Sequence, residues 1–324
     1  MLSSVYHCFS KITGAYYVLP TYHVVSDRPV PHLSALYKPK SLKNFEKEVD
    51  YVARHFKIVD ARELLKSCRE NYKGKPLAHL SFDDGLRETF ETAVPLLKRK
   101  GIPATFFINS ALIGNRKLMY RFKASLISEH LKSVSDQKLS DYELILQKVE
   151  GIDLFHKLLK INLKQENLLD EVAAGAGLSF DDYLAEHKPY LESDELDILK
   201  KDGFTVGSHA HDHPLFSSLL PDEQLLEIQT SMQKLARWID PDLKLFAFPF
   251  TDYGVKRSFF EEAHKLQLFD MSFGTAGLHS DVVPYHLQRI PMEEPYNKFG
   301  AQVFNYQYAK AIVNKLRGRI KIDR

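Results

Sequence analysis

The sequence predicts an α/β fold built around a largely parallel sheet. Short runs of apolar, β-branched or aromatic residues recur along the chain with helix-periodic stretches between them, which is the alternation expected of βα units. At 324 residues the chain is long enough for one large α/β barrel or two ordinary domains, and in either case for a sizeable core.

Strands are expected at YYVLPTYHVV (16–25), LAHLSF (77–82), ATFFIN (104–109), FTVGSH (204–209), LKLFAFPF (243–250), FDMSFGT (269–275) and HLQRIPM (286–292). Between them, SLKNFEKEVDYVARHF (41–56) gathers Phe45, Val49, Val52 and Phe56 on one helical face, and ETAVPLLKRKG (91–101) ends on a glycine. PDEQLLEIQTSMQKLARWI (221–239) opens with Pro221, Asp222 and Glu223. That is a suitable helix start, because proline needs no amide donor there and acids favour the positive end of the dipole. From about 115 to 190 the chain is charged, leucine-rich and helix-periodic without a clear strand. It reads as a helical insertion between two barrel strands of a single domain spanning 1–324, the alternative being a separate helical domain. The tail, AKAIVNKLRGRIKIDR, is basic with some apolar spacing and reads as a solvated helix rather than a membrane anchor.

Composition narrows the classes. Hydrophobic residues at 44% and charged residues at 27% are ordinary for a globular protein and exclude wholesale disorder. Lysine and arginine (44) nearly balance aspartate and glutamate (42), so nucleic acid has no electrostatic handle. Cys8 and Cys68 read as free thiols. The first 25 residues lack a clean apolar signal segment, and no run approaches the roughly 18 apolar residues of a membrane span. A cytoplasmic location is therefore expected, with membrane contact limited to the periphery.

Two segments carry chemistry. LSFDDG (80–85) ends an apolar strand in Asp83 and Asp84, at the end of a strand where α/β folds place reactive groups. Adjacent carboxylates repel, so a divalent metal on one of them, leaving the other to face substrate, would balance the site. Asp-Asp-Gly also reads as a plain turn with Gly85 at positive φ. GSHAHDHP (207–214) holds three histidines at alternate positions. An extended chain would put His209, His211 and His213 on one side, whereas a tight loop or helical turn would bring His209 and His213 together. Two imidazoles and a carboxylate form a facial set that leaves positions for water and substrate.

Taken together, LSFDDG and GSHAHDHP resemble the motifs of the polysaccharide deacetylases, the NodB-type fold of carbohydrate esterase family four. The resemblance extends through GIPATFFIN, LDILKKDGFTVGSH and FAFPFTDYG, from about residue 16 to 295. It implies a distorted (β/α) barrel with Asp83 as general base, Asp84, His209 and His213 as metal ligands, and the backbone around Phe250 as a donor to the oxyanion. Zinc is the first expectation for the cation, with cobalt, nickel, manganese or iron as alternatives. Ala210 stands where the family has Ser or Thr, so a loop hydrogen bond is either missing or supplied by Ser208. Ala247 stands where some members carry the arginine that orients the base. Arg289 is the candidate replacement, its alternative being an ordinary structural ion pair. The family's late histidine, the general acid, has no clean match; His286 and His279 are candidates, and His23 is expected to line the cleft.

The implied reaction is metal-assisted hydrolysis of an acetamido group on a sugar of a bacterial polysaccharide or glycan precursor. A glycosidase pair is unlike this arrangement, since its carboxylates stand across a bond about 5 Å or more apart. The alternatives are an amidase of the same fold acting on a small non-sugar amide, and a carbohydrate-binding relative without turnover.

Overall fold

The computed structural model describes residues 3–293 and 300–324. Its centre is a barrel of eight parallel strands: β1 (Pro20–Tyr22), β2 (Leu80–Phe82), β3 (Ala104–Ile108), β4 (Thr205–Ser208), β5 (Leu245–Ala247), β6 (Met271–Gly274), β7 (His286–Gln288) and β8 (Ile290–Pro291). The order is β7-β6-β5-β4-β3-β2-β1-β8. The two end strands are consecutive in the chain and separated only by Arg289. β7 pairs with β6 while β8 pairs with β1, so one bent segment joins the two edges of the sheet.

Side chains alternate across the barrel wall, as strand geometry requires. Phe107, Leu245, Ala247, Met271, Phe273 and the partly buried Leu287 form the inner core, joined by Leu64 and Leu65 of the helix Ala61–Arg69. Phe82, Phe106, Val206 and Ile290 face outward into a second core shared with Phe45, Val49, Val52, Ala93 and Leu97 of the surrounding helices. Gly207 is an inward position with no room for more: a Cβ there would sit 2.7 Å from the Phe107 ring.

Two expected strands are divided. Tyr17–Val18 and Leu77–Ala78 leave the barrel and pair in a small parallel sheet with Lys57–Ile58. At one break, buried His79 bridges the Val59 carbonyl (2.9 Å) and Thr105 Oγ1 (2.8 Å).

Between β3 and the helix Ser193–Lys201 that precedes β4, the described residues contain helices and no strand, the α-helices being Tyr120–Leu131, Asp136–Ile145, Leu154–Lys160, Glu166–Ala176 and Phe180–His187. Their apolar faces form a third core, and Val24, Val30, Leu33, Leu86 and Leu112 from the loops and ends of the barrel elements are part of it. The C-terminal segment adds a helix and a short strand. Helix Gly300–Leu316 buries Val303, Phe304, Tyr308 and Ala311, and Lys321–Ile322 adds a strand beside Ser280–Asp281. Most of that packed face precedes the basic tail (309–324), in which Ala311 is buried but Val313 and Leu316 are exposed, as a solvated helix end requires. No described helix is long and apolar enough to cross a membrane.

Candidate active site

Strand alternation builds the site. Ser81 and Asp83 extend the inward positions of β2, His209 extends that of β4, and Arg289 follows inward Leu287, so three functional side chains converge at one end of the barrel. Asp84 would point outward by the same rule, but its φ of +70° and the +66° of Gly85 break the alternation. Asp84 Oδ1 thereby comes 3.2 Å from His213 Nε2 and 3.5 Å from His209 Nε2. The sequence Asp-Asp-Gly is thus both a turn and part of the site.

The histidine segment adopts the tight-loop alternative. Ala210 and His213 have φ of +65° and +58°, which brings the rings of His209 and His213 to 5.1 Å between centroids. His211 turns away to Ser110 Oγ (2.8 Å). The loop is held by Ser208 Oγ, which accepts the Ala210 N–H at 3.2 Å, and by Glu227, which accepts the N–H groups of His211 and Asp212 at 2.9 and 3.0 Å. Ser208 therefore provides the bond that Ala210 lacks a side chain to make; Glu227 carries no sequence signal beyond its helical position.

Asp84, His209 and His213 offer ligand atoms that all lie within 4.8 Å of one another. His209 Nδ1 lies 2.9 Å from the Ala247 carbonyl, so it carries the proton and leaves the Nε2 lone pair facing Asp84. Asp84 Oδ1 is buried without a hydrogen-bond partner. An orphaned carboxylate oxygen beside two imidazole nitrogens is a poor arrangement for protein alone and a good one around a divalent cation. Burial by itself would raise the Asp84 pKa, but His213 beside it, with His23 and His209, holds the carboxyl well below the usual range. Burial lowers His209 to about 4 despite the nearby carboxylates, keeping it neutral and able to ligate.

Asp83 is arranged differently. Both of its oxygens accept from Arg289, Oδ1 from Nη1 at 2.7 Å and Oδ2 from Nη2 at 2.8 Å. Arg289 is 1% exposed and also donates to Thr21 Oγ1, Ser81 Oγ and the Gly274 carbonyl. Burial opposes ionisation of Asp83, but the guanidinium and His209 outweigh it and the carboxyl stays below its ordinary value.

Phe250 borders the group on one side. It is 40% exposed with φ of +57°, its ring lies 4.5 Å from that of His213, and its N–H has no acceptor among the described residues. On another side His23 Nδ1 lies 3.3 Å from the carboxylate of Glu293. Burial would lower His23, yet Glu293, with Asp84 and Asp83 beyond, raises it to about 9.

His286 does not join this group. It shares the outward parity of Gln288, opposite to Arg289, and its nitrogens engage Ser272 Oγ (2.8 Å) and Asp252 Oδ2 (3.0 Å). The expectation that His286 lies in the cleft is therefore corrected by strand alternation. His279 is likewise engaged at both nitrogens, by the Ala276 carbonyl and Asn314. Asp252, Asp281 and His286 form a second cluster of potential ligands, but Arg324, 3% exposed in its side chain, already pairs with both carboxylates. This second cluster is a buried ion-pair network. It anchors the loop of Phe250: Asp252 accepts from Gln288 Nε2 at 2.7 Å, while Thr275 Oγ1 donates to the Phe250 carbonyl at 3.0 Å. Sequence reasoning had no means to pair Asp252 with an arginine 72 residues away.

A family model described as polysaccharide deacetylase matches residues 70–150 and 162–268. No curated protein matches the chain. Among solved structures, the chain is similar to the Streptococcus pyogenes deacetylase PplD in complex with acetate, with 14% identity, TM-score 0.57, and 89% of this chain and 96% of that chain covered. It is similar to IcaB from Ammonifex degensii, with 16% identity, TM-score 0.55, and coverage of 90% and 97%. A de-N-acetylase from Aggregatibacter actinomycetemcomitans gives 13% identity, TM-score 0.53, and coverage of 89% and 99%. At these identities the likeness is one of fold.

Proposed function

Because the chain belongs to the polysaccharide deacetylase family, we propose that it removes an N-acetyl group from a sugar of a polysaccharide or glycan precursor, with Asp84, His209 and His213 holding a divalent metal. The observation that carries this reading is the buried, unpartnered Asp84 Oδ1 facing two imidazole nitrogens beside an arginine-held Asp83. The two-nitrogen, one-oxygen donor set suits zinc, and geometry and availability decide among zinc, cobalt, nickel, manganese and iron.

When bound, the metal polarises the amide carbonyl and makes water nucleophilic near neutral pH. Asp83 takes a proton from the attacking water. Arg289 keeps this carboxylate ionised and aimed, which is the task the family's missing arginine at position 247 would perform. The free N–H of Phe250 donates to the oxygen on which negative charge develops. His23, which is not one of the proposed ligands, is raised by Glu293 and by the nearby Asp84 and Asp83 despite its burial, and it replaces His286 as the group that protonates the leaving amine. The insertion contributes one wall of the cleft, through Tyr120 against Phe250 at 6.4 Å. Its core runs on into the barrel loops, so we take the chain as one catalytic unit.

The test is acetate release from N-acetylglucosamine oligomers by metal-stripped protein after zinc or cobalt is restored, with Asp83→Asn as control. Metal-dependent release that disappears in the control supports the assignment. Stoichiometric metal with no release moves the reading to another amide or to a binding protein.

A further inference from the structure

Arg121, in the first turn of helix Tyr120–Leu131, is a half-buried cation without an acidic partner. Its neighbours are treated differently. Lys117 pairs with Asp212, and Lys123 with Glu166 and Asp170, whereas no carboxylate among the described residues makes an ion pair with Arg121. Arg116 is also unpaired but lies exposed, where water compensates it. For Arg121 the protein supplies one hydrogen bond, from Nη1 to the Leu159 carbonyl, and the Phe250 ring, 5.8 Å from its Cζ. A guanidinium has five N–H donors in a planar fork matched to carboxylate and phosphate. Burial destabilises its charge, so most of that capacity is left for something outside the protein.

Its position says what that is. Phe250 is shared: His213 packs on the ring at 4.5 Å and Arg121 at 5.8 Å, so the guanidinium carbon stands no more than about 10 Å from the His213 ring. That is within reach of a substituent on the acetamido sugar or on the residue next to it. Tyr37 borders the reaction centre, its ring 5.4 Å from that of His23 between centroids. Its hydroxyl is buried with no partner, a second donor for the same ligand.

We propose that Arg121, with Tyr37, forms an anion subsite beside the reaction centre, so that the substrate is an N-acetylated glycan carrying a carboxylate or phosphate close to the sugar that is deacetylated. The inference rests on the deacetylase reading and specifies its substrate class.

The experiment compares kcat/KM for acetate release from three oligosaccharides. They are neutral chitotetraose, a hyaluronan tetrasaccharide, which supplies carboxylates, and a 6-O-phosphorylated N-acetylglucosamine dimer. Each is assayed with zinc-loaded wild type, Arg121→Gln and Arg121→Lys. At least one charged substrate is expected to exceed chitotetraose about ten-fold through KM, and which one identifies the anion. That ratio should fall close to one in Arg121→Gln and lie between in Arg121→Lys. No preference for either charged substrate in wild type, or a preference that survives Arg121→Gln, overturns the proposal. If none of the three releases acetate, the deacetylase reading has failed, and calorimetric binding of the two charged oligosaccharides to metal-stripped protein still decides the subsite. Roughly ten-fold weaker binding of one of them by Arg121→Gln sustains it, and equal binding of both refutes it.

Discussion

Arg289 and Asp83, 206 residues apart in the chain, share two hydrogen bonds of 2.7 and 2.8 Å inside the end of the barrel. Arg289 is also the residue between the two strand segments that join the sheet edges. Barrel geometry and the state of one carboxylate are therefore coupled. Removing the guanidinium leaves a buried charge unpaired, so Arg289→Ala is expected to lose roughly 3–5 kcal/mol of stability along with activity. Asp83→Asn should retain metal and lose turnover. The double variant Asp83→Asn/Arg289→Ala should be more stable than the sum of the single changes predicts, as read from urea unfolding. Additivity of the two losses would show that the pair is not coupled.

The loop geometry separates the three histidines. Asp84→Ala and His209→Ala are expected to weaken zinc binding by at least about a hundred-fold, because each removes a direct donor. His211→Ala should bind zinc within a few-fold of wild type, since that ring faces Ser110. Competition titration against a chromophoric chelator measures all three. Equal losses for His209→Ala and His211→Ala would contradict the ligand set.

In metal-free protein His209 is held neutral, with a pKa lowered to about 4 from its usual 6.5. The unfolded chain therefore binds this proton first as pH falls. Stability is lost between pH 6.5 and 4, and the full effect is on the order of 3 kcal/mol. Chelator-treated wild type should lose more stability on going from pH 7 to 4.5 than His209→Asn does. Parallel curves for the two proteins would remove His209 from the account.

Arg324 acts on the Phe250 loop from a distance, through Asp252 and its carbonyl. It touches no proposed substrate position, so its effect is one of positioning. Arg324→Ala is expected to lower kcat about ten-fold while KM and zinc affinity stay within about two-fold. Arg324→Lys should recover part of kcat by keeping the charge without the planar fork. A purely structural role would instead appear as fewer zinc-competent molecules with normal kcat per bound zinc.

Protonation of the leaving amine distinguishes His23 from His286. His23→Gln should reduce kcat by about a hundred-fold, within the range of general acid–base contributions, and remove the alkaline limb of the kcat profile. A variant with an unchanged alkaline limb would relieve His23 of this role.

The sequence by itself determined the alternation of strands and helices, the helical character of the 115–190 segment, and the two motifs from which the site is built. Those are local properties: side-chain periodicity reports which face is buried, and Asp83–Asp84 and His209–His213 are close because they are close in the chain. It also offered Arg289, with an ordinary structural ion pair as the alternative, as a candidate replacement for the arginine absent at 247, though not the strand junction that aims it at Asp83. Only the tertiary structure decided the rest. His286 and Arg289 lie three residues apart on one segment, and strand parity sends them to opposite faces. Left-handed backbone at Asp84, Ala210 and His213 overrides that parity where the ligands must meet. Asp252 with Arg324, His23 with Glu293, and Arg121 over Phe250 are long-range or cross-element pairings. A linear pattern carries no information about such contacts until the barrel closes.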